Sequence, residues 1–146
     1  MKKIALLAPA AIAVFAAVGC GGGGGPASPG FPLLEGTWTA IKAEYVSVAD
    51  PVRTVDIVAR GSTVSLVLRE STFTLMITDP GEAPEVTVGY WTASGATLTL
   101  SPVGTTTPWV FTIYQNWDTM VLVGAHVLFA FGGSPEEAIL TLEVYQ

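Results

Sequence analysis

The chain is poor in most of the side chains that carry catalysis. Its 146 residues include one cysteine and one histidine, and charged residues make up only 12% of them. A single cysteine rules out an internal disulfide. A zinc site draws on several histidine or cysteine ligands, and that supply is missing. Basic residues are outnumbered by acidic ones, six against twelve. This excludes the positive surface on which nucleic-acid binding depends. No stretch of helical period extends beyond about two turns. The acidic groups do not form a calcium pattern: Asp79, Glu82 and Glu85 in "DPGEAPE", and Glu136 with Glu137, lack the spacing that gathers six to eight oxygens. They read as solvated turn charges. No metal, cofactor or catalytic residue is expected, and the chain is not expected to be an enzyme. What is abundant is threonine, valine and leucine, a composition that favours strands.

The lone cysteine stands in a telling place. Lys2 and Lys3 precede an apolar run, Ile4 to Val18, broken only by Pro9. That is the layout of an export signal, and it is short for a membrane-spanning helix, which needs about 20 residues. The run ends in Ala17-Val18-Gly19-Cys20, which resembles the lipobox of bacterial lipoproteins. The resemblance implies a signal peptide over 1–19 and acylation of Cys20 with palmitate-type chains, hence a membrane partner reached through a lipid anchor. It further implies a cell-envelope location, and Gly21 in place of aspartate points to the outer membrane. Residues 20–32 then read as a tether. Six glycines and three prolines cannot build a core, and a flexible segment of this length reaches about 20 Å. Once the signal is removed, Lys42, Arg53, Arg60 and Arg69 face all twelve acidic residues, a formal balance of about −8.

Residues 33–146 are long enough for one domain with a real core. A two-residue turn at Glu70-Ser71 sets Leu68 against Phe73, Leu66 against Leu75 and Val64 against Ile77, the alternation of a half-buried antiparallel pair. A turn at Ser94-Gly95 sets Trp91 against Leu98 and Gly89 against Leu100, with Gly89 marking a bulge or tight bend. A turn at Asn116-Trp117 sets Ile113 against Met120 and Phe111 against Leu122. A wider loop over "GGSPEE" (132–137) sets Phe129 against Leu140, Val127 against Leu142 and Ala125 against Val144. The strands fall near 36–47, 62–69, 72–79, 86–93, 96–101, 108–115, 118–131 and 138–145, the seventh kinked at Gly124. The longest gap, 48–61, has room for a short helical turn. Eight neighbouring antiparallel strands with one apolar face predict an all-β up-and-down barrel, with a two-sheet sandwich as the other solution.

The first strand carries Gly36-Thr37-Trp38, a G-x-W opening an eight-strand meander. Together with the long connection after it and with "GYWTASGATLTL" (89–100), it resembles the lipocalins and the wider lipocalin-like bacterial lipoproteins over 33–146. The T-D-Y motif of true lipocalins is missing, as is an arginine in the last strand, so the likeness is to the wider group. It implies that Trp38 plugs the closed end of the barrel.

Two segments leave alternatives open. Period two puts Lys42 and Glu44 on the Trp38 face. Either a bulge near Ala40 turns Ile41, Ala43 and Tyr45 inward instead, or the lumen holds a Lys42–Glu44 pair. Trp117 takes a turn position that prefers glycine, either as a contact for a ligand, partner or membrane or as a lone exposed aromatic. His126, placed opposite Glu143, reads as a surface pair. The expected role is that of a lipid-anchored binding module whose barrel holds a small hydrophobic or amphipathic ligand. Its lumen would be lined by Leu66, Phe73, Leu75, Trp91, Leu98, Phe111, Leu122 and Phe129. The alternative is a structural or interaction protein whose barrel is filled by those same side chains.

Overall fold

The computed structural model describes residues 34–146; the segments expected to be signal and tether, with Cys20, lie outside the described residues. Nine strands make up the described chain, without a helix: β1 (Gly36–Ser47), β2 (Thr54–Asp56), β3 (Thr63–Arg69), β4 (Thr72–Thr78), β5 (Glu85–Ser94), β6 (Thr97–Pro102), β7 (Trp109–Asn116), β8 (Thr119–Phe129) and β9 (Glu136–Tyr145). From β3 to β9 each strand pairs with its sequence neighbour. β1 pairs with β3 on one side and β9 on the other, closing an eight-stranded antiparallel meander barrel. β2 is the extra strand. It lies along the second half of β1, Glu44 opposite Asp56 and Val46 opposite Thr54, where β3 has parted from it. The 48–61 segment therefore contributes a strand and turns rather than a helical turn.

Side-chain alternation decides the inside. Trp38, Leu66, Leu68, Phe73, Leu98, Phe111, Met120 and Leu122 point inward and are fully buried. The β3–β4 register is the one its alternation predicts, Leu68 with Phe73 through Val64 with Ile77. Three other registers differ from expectation. Trp91 meets Leu100 and Gly89 meets Pro102, because the turn is Gly95-Ala96. Ile113 meets Leu122 and Gln115 meets Met120, because the turn is Trp117-Asp118. In both hairpins the first turn residue has positive φ, 55° at Gly95 and 52° at Trp117. That backbone sign suits the right-handed twist of the flanking strands. On β8 and β9, Ala125 meets Leu140, Val127 meets Ala138 and Phe129 meets Glu136, with Gly124 inserted as an extra residue. Gly89 is no bulge. It faces Phe73 across the ladder, and the ring occupies the space a side chain would need.

The other irregularity lies on β1. The β1–β9 register shifts between Ala40 and Lys42, so Ile41 is the inserted residue. It does not turn inward as expected but stays 57% exposed. Past this bulge the faces exchange: Ala43, Tyr45 and Ser47 are buried, while Lys42 and Glu44 pair on the outside at 3.3 Å. A bulge of this kind re-aims every following side chain and sharpens the local twist.

The barrel ends differ. The hairpin turns at 70–71, 95–96 and 117–118 gather at one end, together with Leu34 and the C-terminal Gln146. Trp38 closes this end, with no exposed surface, and its indole Nε1 donates to the Leu34 carbonyl at 2.8 Å. The longer connections, 48–62, 79–84, 103–108 and 130–135, surround the opposite end.

Candidate functional site

The barrel is solid in its Trp38 half and open in the other. A cleft of about 500 Å³ enters between the long connections, walled by Tyr45, Val55, Ile57, Leu75, Ile77, Trp109, Val127, Phe129 and Leu140. Its polar groups come from Arg60, Ser62, Asp79, Glu85 and Thr87. Pockets for small molecules have this size, and most are mainly apolar; here polar and apolar groups share the exposed lining about equally.

Each wall has a local cause. The bulge at Ile41 brings Tyr45 in, and the Tyr45 ring stacks on Phe129 at 4.0 Å between centroids and 17° between planes. Phe131 meets the edge of Phe129 at 4.9 Å, and the Arg53 guanidinium lies 5.0 Å above Phe131 while pairing with Glu136. On the facing side the Asp56 carboxylate accepts from the backbone N–H groups of Ala43, Val58 and Ala59. That cap ties the turn after β2 to β1 and holds Val55 and Ile57 over the barrel. The Ser62 hydroxyl donates to Asp79 Oδ1, linking the start of β3 to the end of β4.

Of the eight residues expected to line a lumen, Leu75 and Phe129 border the cleft. Leu66, Phe73, Leu98, Phe111 and Leu122 are buried in the filled half, where they are core. Trp91 is half-buried at the closed end, beside Leu34 and Glu70. Trp117, 87% exposed, is also at that end and does not touch the cleft. His126 stands opposite Ile139, not Glu143, because the β8–β9 connection pairs Phe129 with Glu136 and the ladder runs on from there. Its Nδ1 meets Glu137 in the wall of a second, more open pocket of about 610 Å³, which shares Trp109, Val127 and Leu128 with the cleft. Asp79 and Glu85, read from the sequence as solvated turn charges, are exposed but border the cleft. Among the described residues no cluster of three histidine, cysteine, aspartate or glutamate side chains is placed to hold a metal ion.

The Tyr45 hydroxyl is pushed up to about 12 from 10.0, mainly by burial and further by the charges of Glu85 and Asp79. The raised group keeps its proton in the fold after the unfolded chain has lost it. Its contribution to stability is thus intact below about pH 10 and is lost as pH rises towards 12. Tyr45→Phe should remove about 3 kcal/mol of that alkaline fall, measured as stability against pH. An unchanged fall would assign it to other groups. Comparison of the chain with protein-family models, with curated proteins and with solved structures finds no match in any of the three.

Proposed function

We propose that the protein is a lipid-anchored envelope lipoprotein, lipocalin-like in type, whose barrel binds a small apolar or amphipathic ligand at its open end, and that it is not an enzyme. The observation that carries this reading is the cleft itself, about 500 Å³ with aromatic and aliphatic side chains on its wall and charged and hydroxyl groups beside them, above a solid half-barrel. An eight-stranded barrel is wide enough either to be filled by side chains or to hold one small ligand, and here the filling covers one half. The polarity of the molecule also fits. Leu34 is at the closed end, so an anchor upstream of it would hold the barrel there and leave the cleft facing away from the membrane.

Native mass spectrometry of the full chain, extracted gently from its host, tests the ligand. One adduct of a few hundred daltons per chain is expected, lost when Leu75→Trp fills the cleft. A bare mass from several gentle extractions would remove the reading. Fractionation tests the anchor: Cys20→Ser should release the protein from the membrane, and continued membrane association with normal processing would sink the lipobox assignment.

The second reading, a surface-acting protein with no ligand, is favoured by one feature. Apart from Glu85 at the start of β5, no residue in β4–β7 is charged, and Val86, Val88, Tyr90, Val110 and Tyr114 are exposed there. Exposed apolar walls of this kind mark contact surfaces.

A further inference from the structure

The cleft carries a sign. Asp79 and Glu85 flank the β4–β5 connection at its mouth, and among the described residues neither has a basic partner within 4.0 Å. The Ser62 hydroxyl holds Asp79 by Oδ1, which fixes the carboxylate and leaves its second oxygen for something else. Arg60 is on the same wall but pairs with neither acid.

Tyr45 is an independent pointer. It is buried to 6% exposure and borders the cleft, and its hydroxyl, which makes no hydrogen bond to a described residue, is not sealed from the cleft. The acids, not Arg60, set the field at that hydroxyl, since both of them raise its proton affinity. Around this negative corner stand three aromatic side chains: Tyr45 and Phe129, stacked on each other, and Trp109. Carboxylates beside aromatic faces attract a cation by direct charge and by the ring quadrupole.

We propose that the cleft takes an organic cation, an amine or ammonium compound with an apolar or aromatic body, its charged head facing Asp79 and Glu85 and its body against Tyr45, Phe129 and Trp109. The proposal rests on the ligand-binding reading above and adds the chemical class.

Three probes with one body and three heads test it: phenylbutylamine, phenylbutanol and phenylbutyrate. Each is titrated calorimetrically into the full chain in lipid nanodiscs, with empty discs as reference. The amine is expected to bind about tenfold tighter than the alcohol, and the carboxylate more weakly than either. In the double variant Asp79→Asn, Glu85→Gln the amine should fall to the level of the alcohol. The affinity of the alcohol should hold, which also shows that the cleft is still folded. Equal affinities, a preference for the carboxylate, or an amine affinity untouched by the double variant would overturn the cation assignment and leave the cleft as a ligand site. Absence of binding by all three probes, with a bare native mass, would overturn the ligand-binding reading and this inference together.

Discussion

Trp38→Ala is expected to destabilise the protein by about 4 kcal/mol, read as a lower urea midpoint at unchanged slope. Trp38 is the largest side chain with no exposed surface, and it fills the end of the barrel at which the tight hairpin turns converge. The loss has two parts. One is the apolar area and the cavity left in a wall that cannot collapse, because the strands around it are joined in a closed ring. The other is the indole hydrogen bond, whose removal leaves the Leu34 carbonyl without its donor. Trp38→Phe separates them. It keeps most of the ring volume and loses the donor, so it should cost about 1–2 kcal/mol. A Trp38→Ala variant within about 1 kcal/mol of the parent would show that this end is closed by other side chains.

Gly89→Ala is expected to be nearly as damaging, about 3 kcal/mol or more, although it adds a single methyl group. A Cβ at this position would lie 2.1 Å from the Ser101 carbonyl oxygen, 2.6 Å from Phe73 Cε1 and 2.8 Å from Pro102 Cα. Two of the three obstacles are backbone, and backbone held in a barrel has little freedom to retreat. The pairing with Phe73 supplies the check. Phe73→Leu in the Gly89→Ala background removes the ring but not the Ser101 oxygen, so most of the loss should remain. Full recovery in the double variant would mean that the ring alone was the obstacle. A thermal melt of the three variants distinguishes these cases.

Glycine at 89 is legible in the sequence as a special position, but its reason is not. A glycine inside a strand signals a bulge or a close approach, and only the register of Phe73 opposite it decides between them. The same limit applies along the barrel. Period two identifies the inward residues well, because Leu66, Leu75, Leu98, Phe111 and Leu122 alternate with threonine, serine and valine. It cannot place the turns at Gly95 and Trp117. Sliding a hairpin by two residues keeps every inward residue inward, so the pattern is blind to it. What breaks the tie is a backbone sign at the first turn residue, positive φ at both.

The cleft is hidden for a different reason. "DPGEAPE" has every mark of a solvated loop, and Asp79 and Glu85 are exposed. Nothing local tells that Tyr45, more than thirty residues earlier, is turned towards them by one inserted residue at Ile41. β2, three residues long, is too short for any periodicity to announce it, yet Val55 within it and Ile57 just after it supply part of the wall. A core is a sum of regular elements and can be read from regularity. This cleft is built from the exceptions: a bulge, a fragment of strand and two loop acids.

The pairing of β1 with β9 has one more consequence. Every other ladder in the ring joins strands that are close in sequence, whereas this one joins the two ends of the described chain, Thr39 with Tyr145 through Ser47 with Ala138. Without that seam the barrel would be a curled sheet with two raw edges, each offering unpaired amides and carbonyls to a neighbouring molecule. Two bulges, at Ile41 and at Gly124, bend the strands on either side of β9. They shape the gap so that β9 fits it and a foreign strand, lacking the same offsets, does not. The irregularity that turns Tyr45 to the cleft is thus also part of the offset that a strand must match to close the barrel.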